Sequence, residues 1–523
     1  MAAMPVPPSI DLAAGKSTWR GRLVAALVLG LAAVLRLWAL GRDGMWSDEC
    51  LTATWAQLPW RETLAAPAAD NNAPLYFLLA KLSPALFGSN ELTWRLLPAL
   101  LGVAGVAAVW WVGRRLLSSG AGLAAAFLLA ISPLHVHYSR EARNYTLLLL
   151  LVLLSFAAAA RVRQRGSRSD VVALALLLAA TLYTHTIAAF AALGVLVAWA
   201  CFPLDRRAIG RLALAAALAG IALAPWLPQL LRQGGRSVES YSWHEGEFER
   251  EFPWQVPRSL AALSHGSLAP VRNRVADLLP QAWVATALGA LLAAYAVAGR
   301  RRLADPAMPL RLIVAIVLPL LAIFVVATLG PPIYVVGRVD VFVLPFLLLL
   351  VAAGLTLLSV PARAGAAVAF AGLALLPLQV LFRLDVRSQE KLIAAMLRSE
   401  RRTAEPVVAT TFLPCLEFYA GVRRDEQLFA FPARPASTTS WIDRSAHPSR
   451  SWPAEAAAVV RRVQNVAATA GSSRVWVVCG RDDLGRALTG AFDRALPLLG
   501  IADLHFQDLE MRAYGVPPGA PPL

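Results

Sequence analysis

The sequence predicts an all-α polytopic membrane protein carrying a small α/β domain at its C-terminus. Three observations predict it. Of 523 residues, 58% are hydrophobic and only 16% charged, and the mean hydropathy is +0.57, well beyond an ordinary soluble chain. Apolar runs such as Leu212 to Leu231 and Val339 to Val360 recur; roughly 20 such residues make a bilayer-crossing helix, which satisfies its backbone polar groups internally. After Arg383 charges become frequent, and short β-like runs, Val407 to Thr410 and Val475 to Cys479, alternate with helical ones, Ala454 to Ala468 and Leu484 to Leu496.

Spans are expected near 23–40, 96–117, 120–136, 144–160, 171–190, 187–203, 212–231, 277–298, 312–330, 339–360 and 366–382, about eleven in all. Lys16, Arg20 and Arg22 before the first run look like the start of a signal peptide. The run reaches Leu40 without a small-residue cleavage site, however, and so reads as a retained span. With residues 1–22 in the cytoplasm, basic residues collect in the inner segments, among them Arg114, Arg115, Arg161, Arg163 and Arg300 to Arg302, as the positive-inside rule asks. The membrane domain is then 23–382, with outer loops 41–95 and 232–276, and an odd span count places the 383–523 domain outside the cytoplasm. Its Pro-rich end, Pro517 to Pro522, is expected to fray. The net charge of +16 spreads over many short loops rather than one face, which argues against nucleic acid as a partner. The four cysteines show no metal-ligand spacing; Cys415 and Cys479, both in the tail, are candidates for a disulfide.

Three constellations carry chemistry. The first outer loop holds Trp46, Ser47, Asp48 and Glu49, followed by Asn71 to Tyr76. Adjacent carboxylates near the bilayer surface suit a general base for an incoming hydroxyl. They suit equally well a solvated loop, or the cap of a helix starting near Ser47. Pro74 to Phe87 is apolar but too short to span, so a helix lying at the interface is expected there.

The second constellation is His135, His137, Tyr138, Arg140, Glu141, Arg143 and Tyr145. Outer arginines run against the positive-inside bias and call for a partner, either a lipid-linked phosphate or an internal ion pair with Glu141. His135 and His137, two residues apart, do not share a helix face, and no metal is assigned to them. His185, within Tyr183 to Thr186, meets a head group or anchors the interface. In the third constellation, Tyr334 to Arg338, the arginine either holds phosphate or snorkels to the surface.

Taken in order, Arg36 to Trp38, Trp46 with Asp48 and Glu49, Asn72 to Leu79, Ser139 to Tyr145, Tyr183 to Thr186 and Tyr334 to Pro345 resemble the family 39 type of polytopic glycosyltransferases, over roughly residues 20–350. That GT-C class includes protein O-mannosyltransferases and the lipid A aminoarabinose transferase. The resemblance implies a GT-C-like fold in the inner (cytoplasmic) membrane, a polyprenyl-phosphate-linked sugar as donor, a lipid, glycan or protein acceptor outside the cytoplasm, and inversion at the anomeric carbon. It also implies Asp48 as base with Glu49 in support, and Arg140, Arg143 and Arg338 on the donor phosphate. Trp46, Asn72, Tyr76, Glu141, Tyr145, His185 and Tyr334 would be further donor or acceptor contacts.

The chain departs from the family where members often read His-Pro-Pro, having Asn72, Ala73 and Pro74, and where they often have Arg-Tyr, having Arg338 and Val339. No cofactor is required, because the leaving group is already a phosphate; the Glu-rich run from Glu239 to Glu251 keeps a divalent metal open. Three rivals stand beside this reading, one of them a catalytically dead scaffold whose tail binds a cell-envelope partner. A lipid-linked glycan flippase or transporter would use interrupted helices, for which Pro225 and Pro228 offer a place. A polysaccharide ligase or polymerase would share the outer arginines without needing the early carboxylate pair.

Overall fold

The computed structural model describes residues 19–69, 71–202, 204–241, 248–249, 252–266, 280–383, 389–410, 413–423, 426–432, 452–481, 483–504 and 509–517. They fall into two compact units. One holds the chain through Leu40, Asn71–Val238 and His244–Leu384; the other holds Gly41–Asp70, Glu239–Trp243 and the chain from Asp385. Lys16, much of the 232–276 loop including Glu245, Glu247 and Glu251, and the Pro-rich end beyond Pro517 lie outside the described residues.

Helices run in order α1 (Trp19–Leu37), α2 (Ser47–Gln57), α3 (Trp60–Ala69), α4 (Leu75–Ala80), α5 (Leu82–Phe87), α6 (Glu91–Leu116), α7 (Ser119–Ile131), α8 (Pro133–Ser139), α9 (Tyr145–Gln164), α10 (Arg168–Leu182), α11 (Ala188–Cys201), α12 (Arg206–Leu223) and α13 (Leu227–Tyr241). The first unit continues through Gln255–Ala261, Pro280–Ala298, Met308–Leu329, Leu344–Leu357 and Val360–Arg383. A helix stands at each expected span. Among the described residues, five are long and apolar enough to cross a membrane: α6, α9, Arg206–Gly234, Met308–Leu329 and Val360–Arg383. The bent pair α7 and α8 makes a sixth. By length and composition, then, five or six helices qualify where the sequence suggested about eleven. Pro225 falls in a single 3-10 turn, Ala224–Trp226, and the apolar helix continues through it. Pro74 to Phe87 forms the short apolar helices α4 and α5, with Tyr76, Phe77 and Ala80 buried and Leu82, Leu86 and Phe87 exposed.

Local chemistry sets the ends of these helices. Asn90 caps α6: its Oδ1 accepts from Thr93 N at 3.0 Å, and Thr93 Oγ1 accepts from Asn90 N at 3.0 Å. Ser118 caps α7 in the same manner, accepting from Ala121 N at 3.1 Å. The two helices meet through glycines. A Cβ on Gly122 would sit 2.6 Å from Trp110 O, and one on Gly113 2.8 Å from Gly122 Cα, so the backbones touch as small residues permit between apolar helices.

Between α7 and α8 the chain bends by 65° at Ser132 and Pro133. Pro133 has no N–H to give the carbonyl of Leu129. Ser132 N gives that carbonyl a long bond at 3.4 Å, and Arg36, completely buried on α1, adds closer donors: Nη2 reaches Leu129 O and Nη1 reaches Ala130 O, each at 3.0 Å. Its Nη1 also bonds Ala32 O at 3.0 Å, and Nη2 lies 2.7 Å from His135 Nδ1.

The second unit centres on a five-stranded sheet in the order β2-β1-β3-β5-β4, built from β1 (Val407–Ala409), β2 (Leu428–Ala430), β3 (Arg474–Gly480), β4 (Leu498–Leu504) and β5 (Leu509–Gly515). β1 is parallel to β2 and β3; β5 is antiparallel to β3 and β4. Alternation along β3 sends Val475, Val477 and Cys479 to the face covered by helices Trp452–Thr469 and Asp483–Ala495. Trp476 and Val478 go to the other face, with Leu413, Leu416 and helix Gln389–Glu400. The Cys415–Cys479 pairing suggested by the sequence is therefore not made. Both cysteines are free, and Cys479 Sγ donates to Glu510 Oε1 at 3.5 Å on its own side of the sheet.

Glu405, buried beside the sheet, accepts from Trp476 Nε1 at 2.7 Å, Arg474 Nε at 2.8 Å and Arg402 N at 3.1 Å. Burial pushes its carboxyl up, but these donors outweigh burial and hold it below the ordinary glutamate value. Its contribution to stability is full above that ordinary value of about 4.3 and is lost as pH falls through the lower folded value. Glu405→Gln should lower the stability of this unit by about 1–3 kcal/mol near neutral pH. The gap to wild type should close below about pH 4, as followed by thermal denaturation of the purified chain across pH.

Candidate functional site

In the first unit, the turn Arg140–Asn144 between α8 and α9 is buried throughout. Arg140 and Arg143, three residues apart, turn to different targets. Arg140 donates to the carbonyls at the end of α1, reaching Trp38 O at 2.6 Å, Ala39 O at 3.2 Å and Arg36 O at 3.3 Å, and its guanidinium lies over the Phe382 ring at 4.8 Å. Arg143 Nη2 donates to Asn72 Oδ1 at 3.2 Å, and the Asn72 carbonyl accepts from Gln233 Nε2 at 3.0 Å. Asn144 Nδ2 ties the turn to Thr184 O at 2.7 Å, which brings the Tyr183–Thr186 loop alongside. Glu141 is held by His137, whose Nε2 is 3.2 Å from its Oε2.

Arg338 joins this group from the far side of the chain. Its Nε donates to Tyr145 OH at 2.6 Å, and the Tyr145 ring packs against Tyr138 at 4.3 Å with the planes tilted by 47° and stands 6.1 Å from His185. The turn that presents Arg338 is fixed at Gly337, whose φ of +73° suits glycine. Gly337 O accepts from Tyr138 OH at 2.6 Å, and Gly337 N donates to Asp340 Oδ2 at 3.0 Å. Tyr334, fully buried, pairs its hydroxyl with Ser259 Oγ at 2.8 Å.

Electrostatics report the same convergence. His185, in the turn between α10 and α11, is pushed down to about 3 by burial first and then by the charges of Arg143 and Arg338. Its ring stays neutral, and with Nδ1 accepting from Ile187 N at 3.3 Å the proton belongs on Nε2. Asp340, which precedes the apolar helix beginning at Val341, is raised to about 6 by burial, against the pull of Ser259 and the Gly337 and Asp340 amides. Two guanidiniums, a neutral imidazole N–H and a tyrosine hydroxyl make a donor-rich setting suited to phosphate oxygens.

The carboxylate pair belongs to the second unit. Asp48 and Glu49 sit buried in the first turn of α2, where acidic side chains complement the helix dipole. Glu49 Oε2 turns back to the Trp46 amide at 3.4 Å, so the capping role that the sequence allowed is present for this residue. Thr52 Oγ1 donates to Asp48 O at 3.0 Å, and Met45 N to Tyr419 OH at 2.7 Å.

Of the sequence candidates, Asn72, Arg143, Tyr145, His185 and Arg338 come together; Glu141 and Tyr334 support the turns on either side; Arg140 braces α1. Tyr76 is fully buried on α4, with its ring edge-on to Phe77 at 5.8 Å. Sequence reasoning missed Gln233, Asn144, Ser259 and Asp340. Only the Gly337-to-Asp340 spacing, a glycine turn followed by an acceptor, offered a signal.

Residues 71–231 match the family model described as dolichyl-phosphate-mannose-protein mannosyltransferase. The fold is similar to that of ArnT from Cupriavidus metallidurans bound to undecaprenyl phosphate, with a TM-score of 0.62 at 14% identity over 95% of this chain and 98% of that one. The chain thus shares its fold with ArnT, and residues 71–231 resemble that mannosyltransferase family. The archaeal oligosaccharyltransferase AglB from Archaeoglobus fulgidus, in complex with an inhibitory peptide and a dolichol-phosphate, aligns with a TM-score of 0.51 at 12% identity over 95% of this chain and 74% of its own. No curated protein sequence matches this chain.

Asp340→Ala removes the acceptor for a buried amide and should cost about 1–3 kcal/mol. Asp340→Asn keeps an acceptor and removes the charge. A carboxyl raised on folding stabilises the fold as pH drops. Wild type should therefore gain stability relative to the Asn variant as pH falls from 7 through about 6 toward the ordinary aspartate value, measured by thermal denaturation in detergent.

Proposed function

We propose that this chain is an integral membrane glycosyltransferase that moves a sugar from a polyprenyl-phosphate carrier to an acceptor outside the cytoplasm. The observation that carries the proposal is the convergence of Arg143 and Arg338 on neutral His185 and Tyr145. The match to a family named for a dolichyl-phosphate sugar donor supports it. So does the likeness to folds solved with undecaprenyl phosphate and dolichol-phosphate. On this reading the apolar helices that fall short of the length criterion also cross the membrane, giving about eleven spans, and the positive-inside balance puts the Tyr183 and Arg338 ends outside.

In the proposed reaction Arg143 and Arg338 neutralise the carrier phosphate and stabilise the charge that grows on it as the glycosidic bond breaks. Arg140 holds the end of α1 so that the turn bearing Arg143 keeps its place. Asp48 takes the proton of the attacking acceptor hydroxyl, and a single displacement inverts the anomeric carbon. Glu49 supports Asp48 by fixing the start of α2. Because phosphate is already a competent leaving group, the proposed chemistry calls for no cofactor.

Asp48→Asn should lower sugar transfer from a radiolabelled polyprenyl-phosphate donor by about 10²-fold or more in membranes with unchanged protein abundance. Undiminished transfer would rule out the base. Arg338→Gln should weaken binding of polyprenyl phosphate and lower transfer by about 10²-fold, with partial recovery in Arg338→Lys, which keeps the charge but not the planar fork. Loss of lipid translocation in place of transfer would support a flippase instead.

A further inference from the structure

Cys415 meets a different cysteine from the one its sequence neighbourhood suggests. Cys50 on α2 and Cys415, which follows Leu413 and Pro414, are both completely buried in the second unit. Both thiols are aimed at one backbone carbonyl: Cys50 Sγ lies 3.6 Å and Cys415 Sγ 3.9 Å from Met45 O. Cys415 Sγ is also 3.9 Å from Ser47 Oγ, and the two free thiols lie close enough for each to perturb the ionisation of the other. The tie from Met45 N to Tyr419 OH holds the same two segments together from the other side of the contact.

We propose that Cys50 and Cys415 are joined by a disulfide in the mature protein, fixing the first turn of α2 to the C-terminal part of the chain. The proposal rests on the extracytoplasmic placement of this unit in the functional reading, since such bonds persist in oxidising compartments. It requires a disulfide-bearing oxidoreductase as oxidant. One cysteine thiolate attacks the oxidant's disulfide to give a mixed disulfide. The second cysteine then displaces the oxidant, so that two thiols lose two electrons and two protons and the oxidant leaves as a dithiol. Burial raises both thiols above their ordinary value, so exchange is slow once α2 is packed. The bond therefore forms while the segments are still open and is afterwards shielded from reductants. It closes a loop between positions 50 and 415, and closing so long a loop removes much freedom from the unfolded chain.

The test uses the full chain in native membranes, quenched in acid and alkylated under denaturing conditions without reductant, followed by peptide mass spectrometry. A linked Cys50–Cys415 peptide is expected in most chains, with Cys201 and Cys479 alkylated, and Cys50→Ser should restore alkylation of Cys415. Full alkylation of Cys50 and Cys415 in the wild-type chain, or a link of either to Cys479, overturns the proposal. Transfer assays and external protease treatment of the same membranes separate the two readings. Unlinked cysteines with active transfer and a cleavable tail remove the disulfide alone. Unlinked cysteines with a tail protected from external protease remove the extracytoplasmic placement as well.

Discussion

A proline inside an apolar helix strands a carbonyl, and away from water a stranded carbonyl costs roughly 1–3 kcal/mol or more. At Pro133 the first unit has only a long bond from Ser132 N to Leu129 O, and it reinforces the break by threading in a buried guanidinium from another helix, where Arg36 serves Leu129 and Ala130. Much follows from that one insertion. α1 must end beside the bend, its own terminal carbonyls then need donors, and Arg140 supplies them from the turn just past α8. The turn is thereby held at one end, and Asn144 holds the other against the loop before α11. Arg143, between the two, inherits a fixed position from bonds that are not its own.

The helices were legible because apolar runs and their caps are local. Asn90, Ser118 and the glycines of α6 and α7 announce themselves within a few residues. The bend at Pro133 was not legible, since the expected span 120–136 runs straight through it, and nothing local marks Arg36, inside the expected span 23–40, as a donor to a helix ninety residues away. In the second unit, Val475 to Cys479 stood out by its β-branched run. Leu498–Leu504 and Leu509–Gly515 did not, because Leu, Gly, Ala and charged residues carry little strand preference until β3 offers its edge to β5. The site was legible as an ordered set of segments. Its internal division of labour was not, because Arg140 and Arg143 look alike in sequence and only the fold sends one to carbonyls and the other toward His185.

The second unit shows a similar economy of parts. Glu49 reads in sequence as half of an acidic pair, yet its carboxylate is turned back on the amide of Trp46, so the geometry of α2 itself depends on it. A substitution at Glu49 thus acts on the helix before it acts on any chemistry. Asp48, one residue along, is buried in that same first turn and takes its place from the cap its neighbour makes.

The neutrality of His185 bears on the close of a catalytic cycle. A carrier phosphate esterified to sugar bears one negative charge, whereas the freed monoester gains part of a second near neutral pH. The imidazole is held uncharged by burial and by Arg143 and Arg338, so the fixed positive charge facing a phosphate there is that of the two guanidiniums. On the proposed reading two guanidiniums attract the more highly charged spent carrier more strongly than the loaded one, so the sugar ester also sets how firmly the lipid is held.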